Sequence, residues 1–246
     1  MTVVVTRPGD AGQELVAMLE HNNISAIHLP LFTFTHGPDL HLLPQVLASL
    51  NVGDWLFPVS TQAIEFADNE LKKQQQTWPS HIHYLAVGKK SAEKLSTITQ
   101  QNVLYPAMQE SSEGLLALLE NIHLSQEKFL ILRANNGRDL LANYLRHRGT
   151  EVKILTCYNR IPIFYQDLNT INIVKNATIF VVTSLANLIA LDKLFKNYCI
   201  SYKDRKLVTI SPRLILKAGQ LGWENIQLSP KVNNQFLYNT VQSIYK

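Results

Sequence analysis

Val152–Ile163 reads VKILTCYNRIPI, and its side chains alternate as an extended strand requires. Val152, Ile154, Thr156, Tyr158 and Arg160 fall on one face at period two, and Lys153, Leu155, Cys157 and Asn159 fall on the other. An earlier stretch, Ala26–Thr35, AIHLPLFTFT, also reads as extended. Pro30 and Pro162 cannot donate to a ladder, which predicts edge strands. The two stretches are read as two chain crossings between two domains, with Tyr158 facing the gap.

An internal repeat is the reason for that reading. Val3-Val-Val-Thr-Arg7 lies on Phe129-Leu-Ile-Leu-Arg133, and at the same offset Leu15 falls on Leu141, Leu19 on Leu145, and the first crossing on the second. A second set also matches. Trp55–Ser60 resembles Phe180–Ser184, Ala86–Gly88 resembles Thr209–Ser211, and Leu104–Pro106 resembles Leu228–Pro230.

Between the crossings, short apolar runs alternate with amphipathic helix-length runs, the pattern of parallel sheets covered on both faces. Asp10 with Gln13 predicts a capped helix start, Leu40–Leu50 a helix, and Ser60-Thr61 the start of another. The expected fold class is α/β, with two similar doubly wound parallel-sheet domains joined by a two-stranded connector. Domain 1 is expected at residues 1–27 plus 164–246, domain 2 at 36–151, and the connector strands at 28–35 and 152–163. One continuous sheet remains the alternative at this level.

Bulk properties narrow the class. The 246 residues are 46% hydrophobic and 17% charged, enough to bury a core. No apolar run approaches the roughly 18–20 residues that span a bilayer. The start, MTVVVTRPGD, is too briefly apolar for a secretion signal. Cys157 and Cys199 are read as reduced thiols of a cytoplasmic protein. A net charge of +4 suits an acidic partner, but the basic residues are scattered and form no nucleic-acid motif. Glycine-rich dinucleotide and P-loop fingerprints and the nucleophile elbow are missing, and His81 and His83 have no further ligand nearby. No metal site is expected.

In open parallel sheets, ligands bind beyond the carboxyl ends of the strands. Those ends carry Arg7, Ser184, Ser211 and Arg213 in the first domain, and Ser60, Thr61, Gly88, Lys89, Arg133 and Arg138 in the second. Helix-start amides and cations suit an anion. Each residue also has a plainer reading. Ser60, Ser184 and Ser211 are good helix caps, Gly88 relieves a turn, and the arginines can pair locally.

VTRP at Val5–Pro8, AVG followed by KKSAEKL, SSEGLLALL at Ser111–Leu119, NGRDLL, HRGTEVKILTCYNR, VVTS at Val181–Ser184, and ISPR with a later AGQLGW occur in order across nearly the whole chain. The ordered set resembles the uroporphyrinogen-III synthase family. The resemblance implies two α/β domains on a two-stranded connector. It also implies a cofactor-independent, metal-free dehydration and cyclisation of hydroxymethylbilane, a linear polycarboxylate tetrapyrrole, with inversion of ring D. It carries Tyr158 over as the catalytic hydroxyl of the connector, Ser60 and Ser184 as rim hydroxyls, Arg133 and Arg138 as loop cations, and places Lys206 near a basic position. A cytoplasmic monomer is expected, with no nucleic-acid or membrane partner and only transient contact with the upstream enzyme. A non-catalytic two-lobed binding protein and a degenerate homologue stay open beside this reading.

Overall fold

The computed structural model describes residues 1–120, 122, 124, 127–137 and 139–245, without the side chain of Ser112. From the start, β1 (Val3–Val5), α1 (Asp10–His21) and β2 (Ala26–His28) lead into β3 (Phe32–His36). A 3-10 turn at Leu40–Leu42 and α2 (Leu43–Ala48) follow. Next come β4 (Trp55–Pro58), α3 (Thr61–Lys73), β5 (His83–Leu85), α4 (Lys89–Thr99), β6 (Val103–Leu104) and α5 (Ser112–Glu120). Then β7 (Lys128–Ala134), α6 (Leu140–His147), β8 (Glu151–Pro162) and α7 (Leu168–Asn176). The chain ends with β9 (Ile179–Val181), α8 (Leu185–Asn197), β10 (Lys206–Thr209), α9 (Pro212–Leu221), β11 (Asn225–Leu228) and α10 (Asn234–Ile244).

Two compact units result, Met1–Thr33 with Ile161–Lys246, and Phe34–Arg160. The first holds a five-stranded sheet in the order β11-β10-β9-β1-β2. The second unit is built on a six-stranded sheet, β3-β8-β7-β4-β5-β6. The repeat explains both orders. Val3 lies across from Ala26 as Phe129 lies across from Val152, and Val3 from Ile179 as Phe129 from Trp55. The match slips at the far edge. There Leu85 faces Leu104 while Val208 faces Gln227, so Leu104 corresponds to Gln227 and not to Leu228.

Apart from β3 against β8, the paired strands run parallel, and both faces are covered by apolar side chains, which is why the strands read as unbroken apolar runs. In the first unit α7, α8 and α9 supply one face (Val174, Leu188, Leu214), and α1 and α10 the other (Leu15, Leu19, Leu237). In the second, α2, α3 and α4 supply one face (Leu43, Ile64, Leu95), and α5 and α6 the other (Leu119, Leu145). Among the described residues no helix is long and apolar enough to cross a membrane.

Three expectations are corrected, and one helix is added. Asp10 is not the cap of α1. Gly9 holds that position at φ 66°, and Asp10 sits in the first turn, where its charge favours the helix dipole. Helix α7, opposite α2 in the repeat, is not signalled by the sequence because LNTINIVKN is rich in β-branched residues and Asn. The two-stranded connector is there, since the chain passes between the two units within β3 at Thr33–Phe34 and within β8 at Arg160–Ile161, but the expectation of edge strands is corrected for β8. Ala26–His28 belongs to the first sheet, and β8 is no edge, because it lies between β3 and β7. Pro162 is tolerated there because β7 ends against Tyr158, before Pro162 is reached. Gly37 N donates to Cys157 O at 2.9 Å and Ile163 N to Leu31 O at 3.0 Å, the crossed order of an antiparallel pair for β3 and β8.

The last correction bears on the site. Strand β8 does not keep period two. Arg133 pairs with Thr156 but Ala134 with Tyr158, so Cys157 is the extra residue of a bulge. The bulge turns Tyr158 away from the face of Val152 and Ile154. It joins Leu155 and Cys157 in the core under α3, and it is 7% exposed. Tyr158 is therefore a packed residue of the second unit rather than one turned out toward a gap.

Candidate functional site

Tyr158 is held on three sides. Its ring stacks on Phe66 of α3 (centroids 5.7 Å apart, planes at 9°) and meets Phe34 of β3 edge-on at 5.7 Å. Its hydroxyl lies 3.0 Å from Ser60 Oγ. Burial pushes the phenol above its ordinary range, and the Ser60 hydrogen bond and the Arg160 charge offset part of that push. The group thus stays protonated well past neutral pH and is an acid in reserve.

Ser60 is placed by strand-to-helix geometry. Strand β4 ends at Pro58, Ser60 is extended (φ −161°), and its Oγ accepts from Ala63 N at 3.2 Å as the N-cap of α3. The phenol therefore sits at a helix N-terminus on the carboxyl side of the second sheet, the edge where parallel sheets bind ligands. Thr61, next to it, is half-buried and donates to Gln62 Oε1 at 3.2 Å.

The equivalent caps recur in the first unit. Ser184 Oγ accepts from Asn187 N at 3.2 Å at α8, and Ser211 Oγ from Leu214 N at 3.3 Å at α9, with Arg213 exposed beside it. Arg7, at the same edge, donates to Val232 O and Asn234 Oδ1, both at 2.8 Å, and burial holds its guanidinium below the ordinary range despite Glu14. Beneath them Asn187 Nδ2 donates to Thr6 O at 3.2 Å, a buried polar contact that no sequence signal announces.

At α4 the chain supplies its own anion. Gly88 takes the N-cap position with extended backbone, and Lys89 N donates to Glu110 Oε2 at 2.9 Å. A side chain at Gly88 would run into that carboxylate. Lys89 itself points to Glu93, 3.7 Å away. Arg133 pairs with Asp139 at 2.6 Å, which realises its local reading. Arg138 lies outside the described residues.

Lys206 is set apart from the rim. It opens β10, so it lies at the amino end of the first sheet, and its Nζ donates to Ile244 O at 2.7 Å at the end of α10. Proximity in sequence to a strand did not reveal which end of the strand it occupies. Contacts around Tyr158 also involve a residue that sequence reasoning missed. Asn135 N donates to Tyr158 O at 3.2 Å, and Asn135 Oδ1 accepts from Arg160 N at 3.3 Å. In the sequence, Asn135-Asn136-Gly137 signals only a turn.

Comparison with known proteins adds independent evidence. A family model described as uroporphyrinogen-III synthase HemD matches residues 13–238. The uroporphyrinogen-III synthase of Escherichia coli K12 is 36% identical over 249 residues, covering 98% of this chain and all of that one. The Proteus mirabilis enzyme of the same name is 38% identical over 165 residues, 67% of this chain and 83% of that one. Among solved structures, a mutant uroporphyrinogen III synthase of Thermus thermophilus superposes with a TM-score of 0.65 at 15% identity, over 99% of this chain and 98% of that one. The Helicobacter pylori uroporphyrinogen-III synthetase gives 0.62 at 16%, over 99% of each. The last two establish likeness of fold. The sequence matches extend over nearly the whole length, and so the chain belongs to the uroporphyrinogen-III synthase family.

Proposed function

We propose that this protein is a hydro-lyase that closes hydroxymethylbilane into uroporphyrinogen III, expelling water and inverting ring D, with Tyr158 as its proton donor. The observation that carries the assignment of Tyr158 is its hydroxyl, 3.0 Å from the cap of α3. A neutral phenol at a helix N-terminus can protonate a leaving hydroxyl, and the resulting phenolate meets Ser60 and the positive end of the helix. The C–O bond breaks with its electron pair on oxygen, and water departs. The substituted carbon of ring D then attacks the exposed methylene carbon, and the spiro compound so formed opens and recloses in the inverted sense.

The same chemistry proceeds unaided to the uninverted isomer, so the protein's main task is to fix geometry. Holding two ends of a flexible chain in reacting position contributes up to roughly 7–11 kcal/mol in favourable cases. Carboxylates of the substrate are assigned to the rim groups: Arg7, Ser184, Ser211 and Arg213 in the first unit, and Ser60, Thr61, Gly88, Lys89, Arg133 and Arg138 in the second. Arg7 and Arg133 would exchange present partners for substrate. Lys206 is left out, because its ammonium is engaged at the far end of its strand. The net charge of +4 favours an acidic substrate. On this reading the protein works as a cytoplasmic monomer, needs no cofactor, and meets the enzyme that supplies its substrate only transiently.

The test is isomer analysis. Freshly made hydroxymethylbilane is added with and without protein, and the products are oxidised and resolved. Type III product in excess supports the proposal, and an unchanged share of type I overturns it in favour of a binding protein.

A further inference from the structure

We propose that Arg160 is a positioning residue for this reaction: its guanidinium stabilises the Tyr158 phenol oxygen as that oxygen gives up its proton, and Asn135 fixes the backbone that carries both side chains. The proposal deepens the reading of Tyr158 as acid and rests on it. Past the Cys157 bulge β8 runs on to Pro162, and the bonds of Asn135 to Tyr158 O and Arg160 N continue the ladder, so Tyr158 and Arg160 share a face. Arg160 is half-buried and its Nε is shielded from solvent. Asn135, the first residue after β7, bonds to both: its N–H reaches Tyr158 O at 3.2 Å, and its Oδ1 takes Arg160 N–H at 3.3 Å. On the opposite side Asn159 Nδ2 donates to His36 O at 2.9 Å. The backbone carrying the phenol and the guanidinium is thus fastened to β7 and to β3.

Among the described residues, these polar and aromatic groups surround the phenol. Helix α3 presents Ser60 and Phe66, and β3 presents Phe34 with His36 behind, edge-on to Phe66 at 5.5 Å. Asp39, just after β3, accepts Thr156 N at 2.8 Å. Arg133 of β7 pairs with Asp139, and Cys157 is a buried thiol held protonated. Among these, Arg160 is the cation whose charge acts on the phenol, and the phenol in turn offsets part of the cost of burying Arg160. The attraction between a half-buried cation and a developing phenolate strengthens as water is excluded. The proton count closes when the phenolate takes back the proton released as the last ring regains aromaticity.

The experiment replaces tyrosine by 3,5-difluorotyrosine, whose more acidic phenol titrates while the protein is still folded, identifies the Tyr158 19F resonance by its loss in Tyr158→Phe, and titrates it. In Arg160→Gln the Tyr158 midpoint moves to higher pH and kcat falls about tenfold with KM little changed. Arg160→Lys restores most of both. Asn135→Ala moves the midpoint in the same direction by less, and stands in if Arg160→Gln folds poorly. An unmoved midpoint in both neutralised and unclamped variants overturns the proposal. A moved midpoint combined with full turnover in Tyr158→Phe overturns the acid role itself, so the two failures are told apart.

Discussion

The Tyr158 hydroxyl and the Ser60 Oγ that caps α3 share a hydrogen bond of 3.0 Å, although 98 residues separate them. One side chain therefore serves helix stability and the phenol together. Tyr158→Phe is expected to fold with little loss and to turn over roughly 10²-fold more slowly, as removal of a general acid does. Ser60→Ala loses the cap, about 1 kcal/mol, and orphans the phenol as well. In stability, Ser184→Ala and Ser211→Ala lose only their caps. A double-mutant cycle on Ser60 and Tyr158, followed by urea unfolding, should give a coupling of about 1 kcal/mol; a coupling near zero means that the contact does not form in solution.

Glu110 occupies the start of α4 that the substrate reading assigns to a carboxylate of the tetrapyrrole. A charged cap and an incoming anion compete for the same N–H groups. Glu110→Gln should lower KM several-fold and lower stability by about 0.5–1 kcal/mol through the weakened helix-dipole interaction. A raised KM would mean that Gly88 and Lys89 take no part in binding.

Gly37 touches the bulge directly. A Cβ there would collide with Thr156 O and with the Cys157–Tyr158 peptide, which is backbone and cannot swing aside. Gly37→Ala should displace β3 from β8, cost about 2–3 kcal/mol, and slow turnover through Tyr158 rather than through substrate affinity. Thermal melts and a comparison of kcat with KM decide this; a kcat unaffected in the folded variant would uncouple Gly37 from Tyr158.

Alkaline conditions should unfold the protein. Burial raises the Cys157 thiol from its ordinary value of 9.0 to about 12, and it raises the Tyr84 and Tyr158 phenols too. The unfolded chain releases these protons first. Their contribution to stability is thus complete below about pH 9 and is lost as the pH climbs toward and through the folded values. Melting temperatures measured from pH 8 to 11 should fall, and Cys157→Ala should fall less steeply; equal slopes would show that the thiol is not buried in solution.

Much of the fold was legible because both repeats obey one register. Val3 with Ala26 and Phe129 with Val152 keep the same spacing, so aligning two apolar runs also aligned their neighbours. The rim serines were legible because a cap has a sequence signature. Period two could not place Tyr158, because a bulge is a tertiary event with no residue signature at Cys157. Lys206 misled for another reason: a strand's composition does not say which of its ends faces ligand. Asn135 was hidden because its contacts with Tyr158 and Arg160 join the ends of two strands, a relation that local patterns do not encode.

The extra residue at Cys157 also sets a rule of inheritance for this segment. Side chains on either side of it are out of step by one, so a single-codon insertion or deletion between Leu155 and Arg160 would swap core for solvent at Tyr158. Changes of length there should survive only in steps that preserve parity, which makes the spacing from Leu155 to Tyr158 a stricter mark of a working enzyme than the identity of the residue at 157.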